Sequence, residues 1–502
     1  VHTLARRGEG KSKQLIPSGL RHRKSRTSRQ LLIIPLRLSG TISLFFRNTS
    51  LMSSNLFFTP SLQRTLAIFS IASGIANMGL YFSILNTILA VIAKDLHAST
   101  LELQWILNIY GLFIAPFLVI MGRLGDKFGY KKIFILGLLF LIISALGTAL
   151  SPNPIFVILF QAFFGLAGAI LLPLSQVLLL NLFPVDKKNT AMGIWTSSGG
   201  LALAFGPITA GLLSLLGNWR IPFFLISLVA FLSLILAIFL IQEPERKNPP
   251  SLDILGTFLL MLTIGIFILA IMQTGTWSSF IVFSLYLLSL VLLLILIKFE
   301  KNIKTPILQT HLFTQRNFIC AASSNALMIF YAWVFMFLIP LYLQTIQNFN
   351  LFKTGLLMLF LTIPLTLVSN LAGRLYYFIG AKTLISCGYF LMILCSVLGL
   401  FFQTHSSLIL IILANLSFGL AWGLVMVPAA TTAMQSLDHD NAGAGAGSFN
   451  TLQEIGGVVG LTIIVTIVRL HSDFITGLHQ GFMTLLFFSL MGLSFGLGIK
   501  KS

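Results

Sequence analysis

This sequence predicts an all-α polytopic membrane protein, and three observations carry that reading. Hydrophobic residues make up 56% of the 502-residue chain and charged residues only 9%, whereas a soluble domain carries about a quarter of its residues as charges. Apolar runs of bilayer-spanning length recur from residue 66 to the end, and about 20 such residues cross the hydrocarbon as a helix. The runs lack the strict alternation of a barrel strand, so helices must satisfy the backbone inside the membrane.

Taken in order, residues 1–51 are a basic extension with eleven Lys/Arg against Glu9, broken by Pro17 and Pro35. Its apolar piece Leu31–Leu36 is too short to span or to form a signal-peptide core. Three readings stand: an arm drawn to anionic lipid, an organelle-targeting segment, or sequence upstream of the true start. Met52, shortly before the first span, favours the last.

Fourteen spans follow, at 66–93, 103–121, 133–151, 154–183, 191–216, 221–242, 254–273, 279–298, 318–346, 354–373, 383–402, 406–434, 446–468 and 480–499. With both termini cytoplasmic, Lys94, Arg220, Lys353 and Arg469 fall outside, against seventeen Lys/Arg inside beyond residue 51. That asymmetry is the positive-inside pattern of a multi-pass protein of the inner (plasma) membrane. It also disposes of nucleic acid as a partner, because the net charge of +19 lies in short loops and the extension.

The loop after the second span reads Gly122-Arg-Leu-Gly-Asp-Lys-Phe-Gly-Tyr-Lys-Lys132. It must be a tight turn at a membrane face. Gly122, Gly125 and Gly129 permit close helix approach and unusual backbone angles. Asp126 is the one acid among Arg123, Lys127, Lys131 and Lys132, placed to pair with them or to face a helix N-terminus. The segment Gly373-Arg-Leu-Tyr-Tyr-Phe-Ile-Gly-Ala-Lys382 repeats this pattern, with Gly373, Arg374, Gly380 and Lys382 at matching spacing and Tyr377 in place of the acid.

Two six-helix halves result, 66–242 and 318–499, joined by the cytoplasmic linker 243–253, an inserted helix pair 254–298 and the cytoplasmic loop 299–317. Repeated halves about a central site are the architecture of alternating-access carriers. The fifth span adds Gly193, Ala202, Gly206-Pro207 and Gly211 along one helix. Small residues allow backbone-to-backbone packing, and Pro207 removes a hydrogen bond and bends the axis.

These pieces together resemble the major facilitator superfamily, and within it the fourteen-helix drug:proton antiporter branch (EmrB/QacA type). Gly122–Lys132 is similar to the family's signature after the second helix, and Gly193–Gly211 to its antiporter helix. The fourteen-helix layout, Pro340-Leu-Tyr-Leu-Gln344 and Ala442–Thr451 followed by Gly456-Gly457 narrow the likeness to that branch. The resemblance implies the major facilitator fold, efflux of an amphipathic small molecule, and proton antiport of the multidrug-resistance kind. Two departures bear on coupling: where the branch carries an aspartate in the first helix this chain has Tyr81, and Gln161 stands in place of an arginine in the fourth. A non-transporting receptor or scaffold of the same fold, or an uncoupled facilitator, is the alternative.

Of the thirteen acids, only Glu454 falls well inside a span. It shares a helical face with Asn450 and Gly457, and an ionisable residue at that depth is a functional candidate by default. The plainer reading is a residue near its helix end that reaches water or a neighbour. Uncharged candidates for a central cavity are Ser73, Asn77 and Tyr81 on the first span, Gln104 and Asn108 on the second, and Gln161 and Gln176 on the fourth. Tyr331, Gln344 and Asn450 join them from the second half, with Trp105, Trp195 and Trp422 to pack against apolar parts of a substrate. Singly, each reads first as an interhelical hydrogen bond; as a group they suit a cavity lining.

No enzyme, cofactor or metal pattern appears. The eight histidines are scattered, no glycine loop precedes Lys-Ser/Thr, and Cys320, Cys387 and Cys395 sit in apolar runs as packing residues. The partners expected are a small-molecule substrate, protons and the lipid bilayer. A periplasmic adaptor, a further partner, leaves no mark in the sequence. A chain starting at Met52 is expected to insert and function normally; loss of membrane insertion in that chain would assign residues 1–51 a structural role.

Overall fold

Short polar caps restart the helices that cross the membrane. The computed structural model describes residues 59–184, 188–244, 253–301, 303, 312, 314–436 and 442–500. The extension 1–51, most of the 243–253 linker and much of the 299–317 loop lie outside the described residues.

The described chain is helical. The first six helices are α1 (Pro60–Asp95), α2 (Thr100–Phe128), α3 (Tyr130–Leu150), α4 (Pro154–Asn181), α5 (Lys188–Ser214) and α6 (Ile221–Leu240). Then come the inserted pair α7 (Ile254–Gln273) and α8 (Ser279–Glu300). The second set is α9 (Arg316–Thr345), α10 (Leu351–Ile379), α11 (Ala381–Gly399), α12 (Leu408–Gln435), α13 (Ala442–Leu470) and α14 (Phe474–Gly498). Thirteen of these are long and apolar enough to cross a membrane as single helices. The exception is α2, whose parts Thr100–Ala115 and Ile120–Phe128 are inclined at 50°. Pro116 lies in the break, and proline removes a backbone hydrogen bond there.

Side chains of Ser99, Asn153, Asp253, Asn350, Ser407 and Asp473 accept from the first free N–H groups of α2, α4, α7, α10, α12 and α14. Such caps satisfy donors that a helix start would otherwise expose. Within the spans, hydroxyls such as Thr87, Thr362 and Thr462 donate to the carbonyl four residues earlier, at 2.8, 3.2 and 2.6 Å. A serine or threonine in an apolar run therefore needs no external partner. Large apolar side chains face outward, Phe280, Phe283 and Leu294 on α8 among them, as a helix facing lipid requires.

Helices α1–α6 pack on one another, and α9–α14 repeat the arrangement pair for pair. The likeness reaches individual atoms. In the first half Tyr81 stacks on Phe164 at 3.9 Å and its hydroxyl meets Thr148 at 2.7 Å and Ser144 at 3.0 Å. In the second, Tyr331 stacks on Phe418 at 4.8 Å and its hydroxyl meets Ser396 at 3.0 Å. Gly165 lies against the Tyr110 carbonyl, as Gly419 lies against that of Leu361. Both halves also reverse direction on a glycine with positive φ, Gly129 at +112° and Gly380 at +83°.

The turn expected within Gly122–Lys132 is a single residue: α2 runs to Phe128 and α3 starts at Tyr130, so only Gly129 lies outside a helix. A single residue makes this turn because glycine alone tolerates that backbone angle.

A Cβ on Gly419 would sit 2.1 Å from the Leu361 carbonyl oxygen, and one on Gly165 2.5 Å from that of Tyr110. Gly165→Ala and Gly419→Ala are each expected to cost about 1–3 kcal/mol by overpacking. A lowered melting temperature in detergent is the readout; unchanged melting in both would contradict this packing.

Candidate functional site

The loops at residues 96–99, 151–153, 215–220, 274–278, 346–350, 400–407 and 471–473 lie at one end of the bundle, here the Arg220 face. The opposite end, with the turns at Gly129 and Gly380, is the Gly129 face. Several ties at the Arg220 face join segments within one half. Arg220 donates to Asp95 at 2.9 Å and to the Ser151 carbonyl at 3.2 Å, while Trp219 donates to Asp95 at 2.9 Å.

The halves meet along two main seams, α5–α10 and α2–α13, with α1 also packed on α9. At the first, α5 packs on α10. Gly211 lies against the backbone of Leu351 and Phe352, and Gly355 against that of Pro207 and Ile208. The small residues of α5 thus divide their work: Ala202 and Gly206 meet α1 at Gly79 and Ser83, whereas Pro207 and Gly211 meet the other half. Gly193 has nothing within 4 Å of where its Cβ would be.

At the second seam, α2 runs antiparallel to α13. Gln104 donates to Thr466 at 3.0 Å, and Gly111 takes the Val458 side chain. Asn108, one turn along from Gln104, is buried with neither side-chain atom hydrogen-bonded. Glu454 of α13 is buried too; one oxygen accepts from Gln453 at 3.3 Å and the other has no partner. Gln453 in turn accepts from Asn325 of α9 at 2.8 Å, and the Tyr110 phenol is close enough to Glu454 to feel its charge. Above the seam, Gln344 donates to the Thr87 carbonyl at 2.5 Å. Phe82 and Tyr110 from the first half close on Trp333 from the second, with ring centres at 5.1 and 5.6 Å.

The sequence-predicted residues therefore separate into groups. Gln104, Asn108, Gln344 and Glu454 lie at or beside the seams. Tyr81 and Gln161 come together at 2.9 Å, but inside the first half among α1, α3 and α4. Ser73 likewise bonds Ser233 of α6 at 2.7 Å, and Tyr331 sits inside the second half. Asn77 is buried, and its amide nitrogen has no partner. Asn450 is half-buried on α13. Trp195 donates to Ser175 at 2.9 Å, while the Trp422 indole nitrogen is buried without a partner. Cys320 and Cys395 are buried and Cys387 is exposed, all as free thiols.

In the signature segment, Asp126 accepts from the Tyr130 hydroxyl, Gly125 receives the Leu174 side chain and Gly122 faces Pro173. Lys131 donates to the Ile238 carbonyl at 2.7 Å, Lys132 is engaged as well, and the Glu243 carboxylate sits over Gly129. Gly373 faces Val427, as Gly122 faces Pro173, and Arg374 is exposed. Sequence reasoning missed Tyr110, Trp333, Asn325 and Gln453. An aromatic inside an apolar run carries no mark of function, and only Gly457, which lies opposite Trp333, hinted at close approach. Among the described residues no three of His, Cys, Asp and Glu are grouped to hold a metal ion.

Two like helical halves meeting on a polar seam within a membrane-crossing bundle define a carrier of the repeated-half class. The chain belongs to the Major Facilitator Superfamily, whose family model matches residues 70–461. It is 26% identical to the MFS-type transporter YvkA of Bacillus subtilis over 82% of this chain and 91% of that one. It is 24% identical to the multidrug resistance protein Stp of Mycobacterium tuberculosis, over 81% and 76% of the two chains. Among solved structures, a POT family transporter in complex with 5-aminolevulinic acid superposes with a TM-score of 0.67 at 16% identity, covering 89% of this chain and 98% of its own. That likeness concerns the fold.

The hydrogen bonds of Gln104 and Gln344 tie the halves near the Arg220 face. Gln104→Leu combined with Gln344→Leu is expected to lengthen the distance between spin labels at Asn218→Cys and Thr345→Cys. An unchanged distance would mean that these bonds do not hold the face shut.

Proposed function

We propose that this transporter is a proton-coupled exporter of an amphipathic small molecule, of the fourteen-helix drug:proton antiporter branch. It works by rocking its two halves about the seams, in a plasma membrane with both termini cytoplasmic. The Gly129 face is then the cytoplasmic one, supported by the excess of Lys/Arg in the loops on that side. The observation that carries the reading is Glu454: a buried carboxyl at the seam with one oxygen unbonded. A buried polar atom left unpaired costs about 1–3 kcal/mol, and a proton or a substrate group satisfies it. Asn108, Gln104 and Asn325 supply further unbonded buried atoms near the same helices, suited to hydrogen-bonding a substrate whose apolar parts lie on Trp333 and Tyr110.

The Tyr81–Gln161 hydrogen bond supports placing the coupling at Glu454. The branch carries an aspartate and an arginine at those positions; here two neutral groups meet at 2.9 Å with Phe164 stacked on the ring. No proton is gained or lost there near neutral pH. The same pair favours a second reading, an uncoupled facilitator. The name of the Mycobacterium tuberculosis relative, a multidrug resistance protein, supports drugs as the substrate class.

Everted vesicles separate the two readings. A panel of amphipathic dyes is assayed with and without a proton gradient. Gradient-driven accumulation is expected in the unmodified chain and its abolition in Glu454→Gln, with dye binding retained. Undiminished gradient-driven transport in Glu454→Gln would remove this carboxyl from the mechanism; equilibration without concentration would favour the facilitator.

A further inference from the structure

The inserted pair α7–α8 lies over the α2–α13 seam, with α7 packed on both helices. The two halves hold it at opposite ends. At the Gly129 face the tether belongs to the first half. Asp253 caps α7 through the Gly256 N–H at 2.8 Å. Its second oxygen and one from Glu300, at the end of α8, lie 2.3 and 2.6 Å from where a Cβ on Gly256 would be. Both acids are buried, and Arg123 of α2 is within electrostatic reach of both. Further along, Gly265 of α7 faces Leu112 of α2.

At the Arg220 face the tether belongs to the second half. Arg469 of α13 donates to the Met272 and Thr274 carbonyls at 2.7 and 2.9 Å. These are the open carbonyls at the end of α7, which need a donor in the absence of water. Leu470 packs beside them at Gly275.

We infer that the α7–α8 hairpin is a diagonal strap across the α2–α13 seam, its Arg220 end held to the second half by the hydrogen bonds of Arg469 and its Gly129 end held to the first half by the charge of Arg123 facing the two buried acids, with both arginines as positioning residues. If α2 and α13 part at the Gly129 face, the strap stays with α2 there. If they part at the Arg220 face, it stays with α13. Either way it covers the seam from the lipid side and limits how far the halves separate. Arg123 of the signature segment then serves the hairpin as well as its own turn.

The tethers are tested without transport, in the full chain with Cys320, Cys387 and Cys395 replaced by alanine. Spin labels at Lys127→Cys and Lys301→Cys report the Gly129 end; labels at Ser472→Cys and Trp277→Cys report the Arg220 end. Arg123→Gln is expected to broaden the first distance distribution and leave the second unchanged, and Arg469→Gln the reverse. Arg123→Lys and Arg469→Lys should largely restore the narrow distributions, separating tether loss from misfolding. If either glutamine variant broadens both distributions, or neither broadens its own, the strap is refuted. The halves must rock for the strap to matter in transport, so dye efflux is read in parallel. Absence of efflux in the unmodified chain would overturn the proposed function and leave the distance result standing.

Discussion

Gly211 and Gly355 set how the two halves meet. In a bilayer, helices gain nothing from excluding water, because lipid tails are as apolar as leucine. What remains is dispersion, which falls away within an ångström of separation, and a few interhelical hydrogen bonds. Glycine on both sides of the α5–α10 seam brings backbone onto backbone: Gly211 to Leu351–Phe352, and Gly355 to Pro207–Ile208. A side chain at either position would hold the helices apart. The interface is tight, yet no ion pair crosses it among the described residues, so it parts without stranding a charge.

Each half, by contrast, is locked internally. The Tyr81 hydroxyl engages Thr148, Ser144 and Gln161, and the Tyr331 hydroxyl engages Ser396 and the Met392 carbonyl. At the α2–α13 seam Asn108 and one oxygen of Glu454 are instead buried with no partner. The proposed rocking needs bodies that stay intact while the surface between them changes partners; the tyrosine clusters serve the first need, and Asn108 and Glu454 lie where the partners would change.

Much of this was legible in the amino-acid order. Apolar runs gave the helices, and Gly122–Lys132 with its copy at Gly373–Lys382 gave the repeat, because a helix-to-helix turn in one residue needs glycine. Single polar residues were harder. The spacing of Ser73, Asn77 and Tyr81 places them on one face of α1, but it does not say which neighbours that face meets. Ser73 and Tyr81 bond inside the first half. Asp253 and Glu300 read as loop charges because they flank apolar runs; the fold buries both within electrostatic reach of Arg123. Glu243 likewise looked like part of a linker and instead covers the Gly129 turn. Charges at the ends of spans take their meaning from tertiary neighbours, which a one-dimensional pattern does not contain.

The most direct test asks whether one buried position is reached from each face in turn. A cysteine at Asn108 is labelled with a membrane-impermeant maleimide from either side, before and after Leu215→Cys on the first half is linked to Phe352→Cys on the second, across the Arg220 face. Rocking halves predict labelling from both sides beforehand. After linking, labelling from the Arg220 side alone should be lost, and reduction of the link should restore it. Labelling from that side that persists through the link would contradict the alternation of two open shapes.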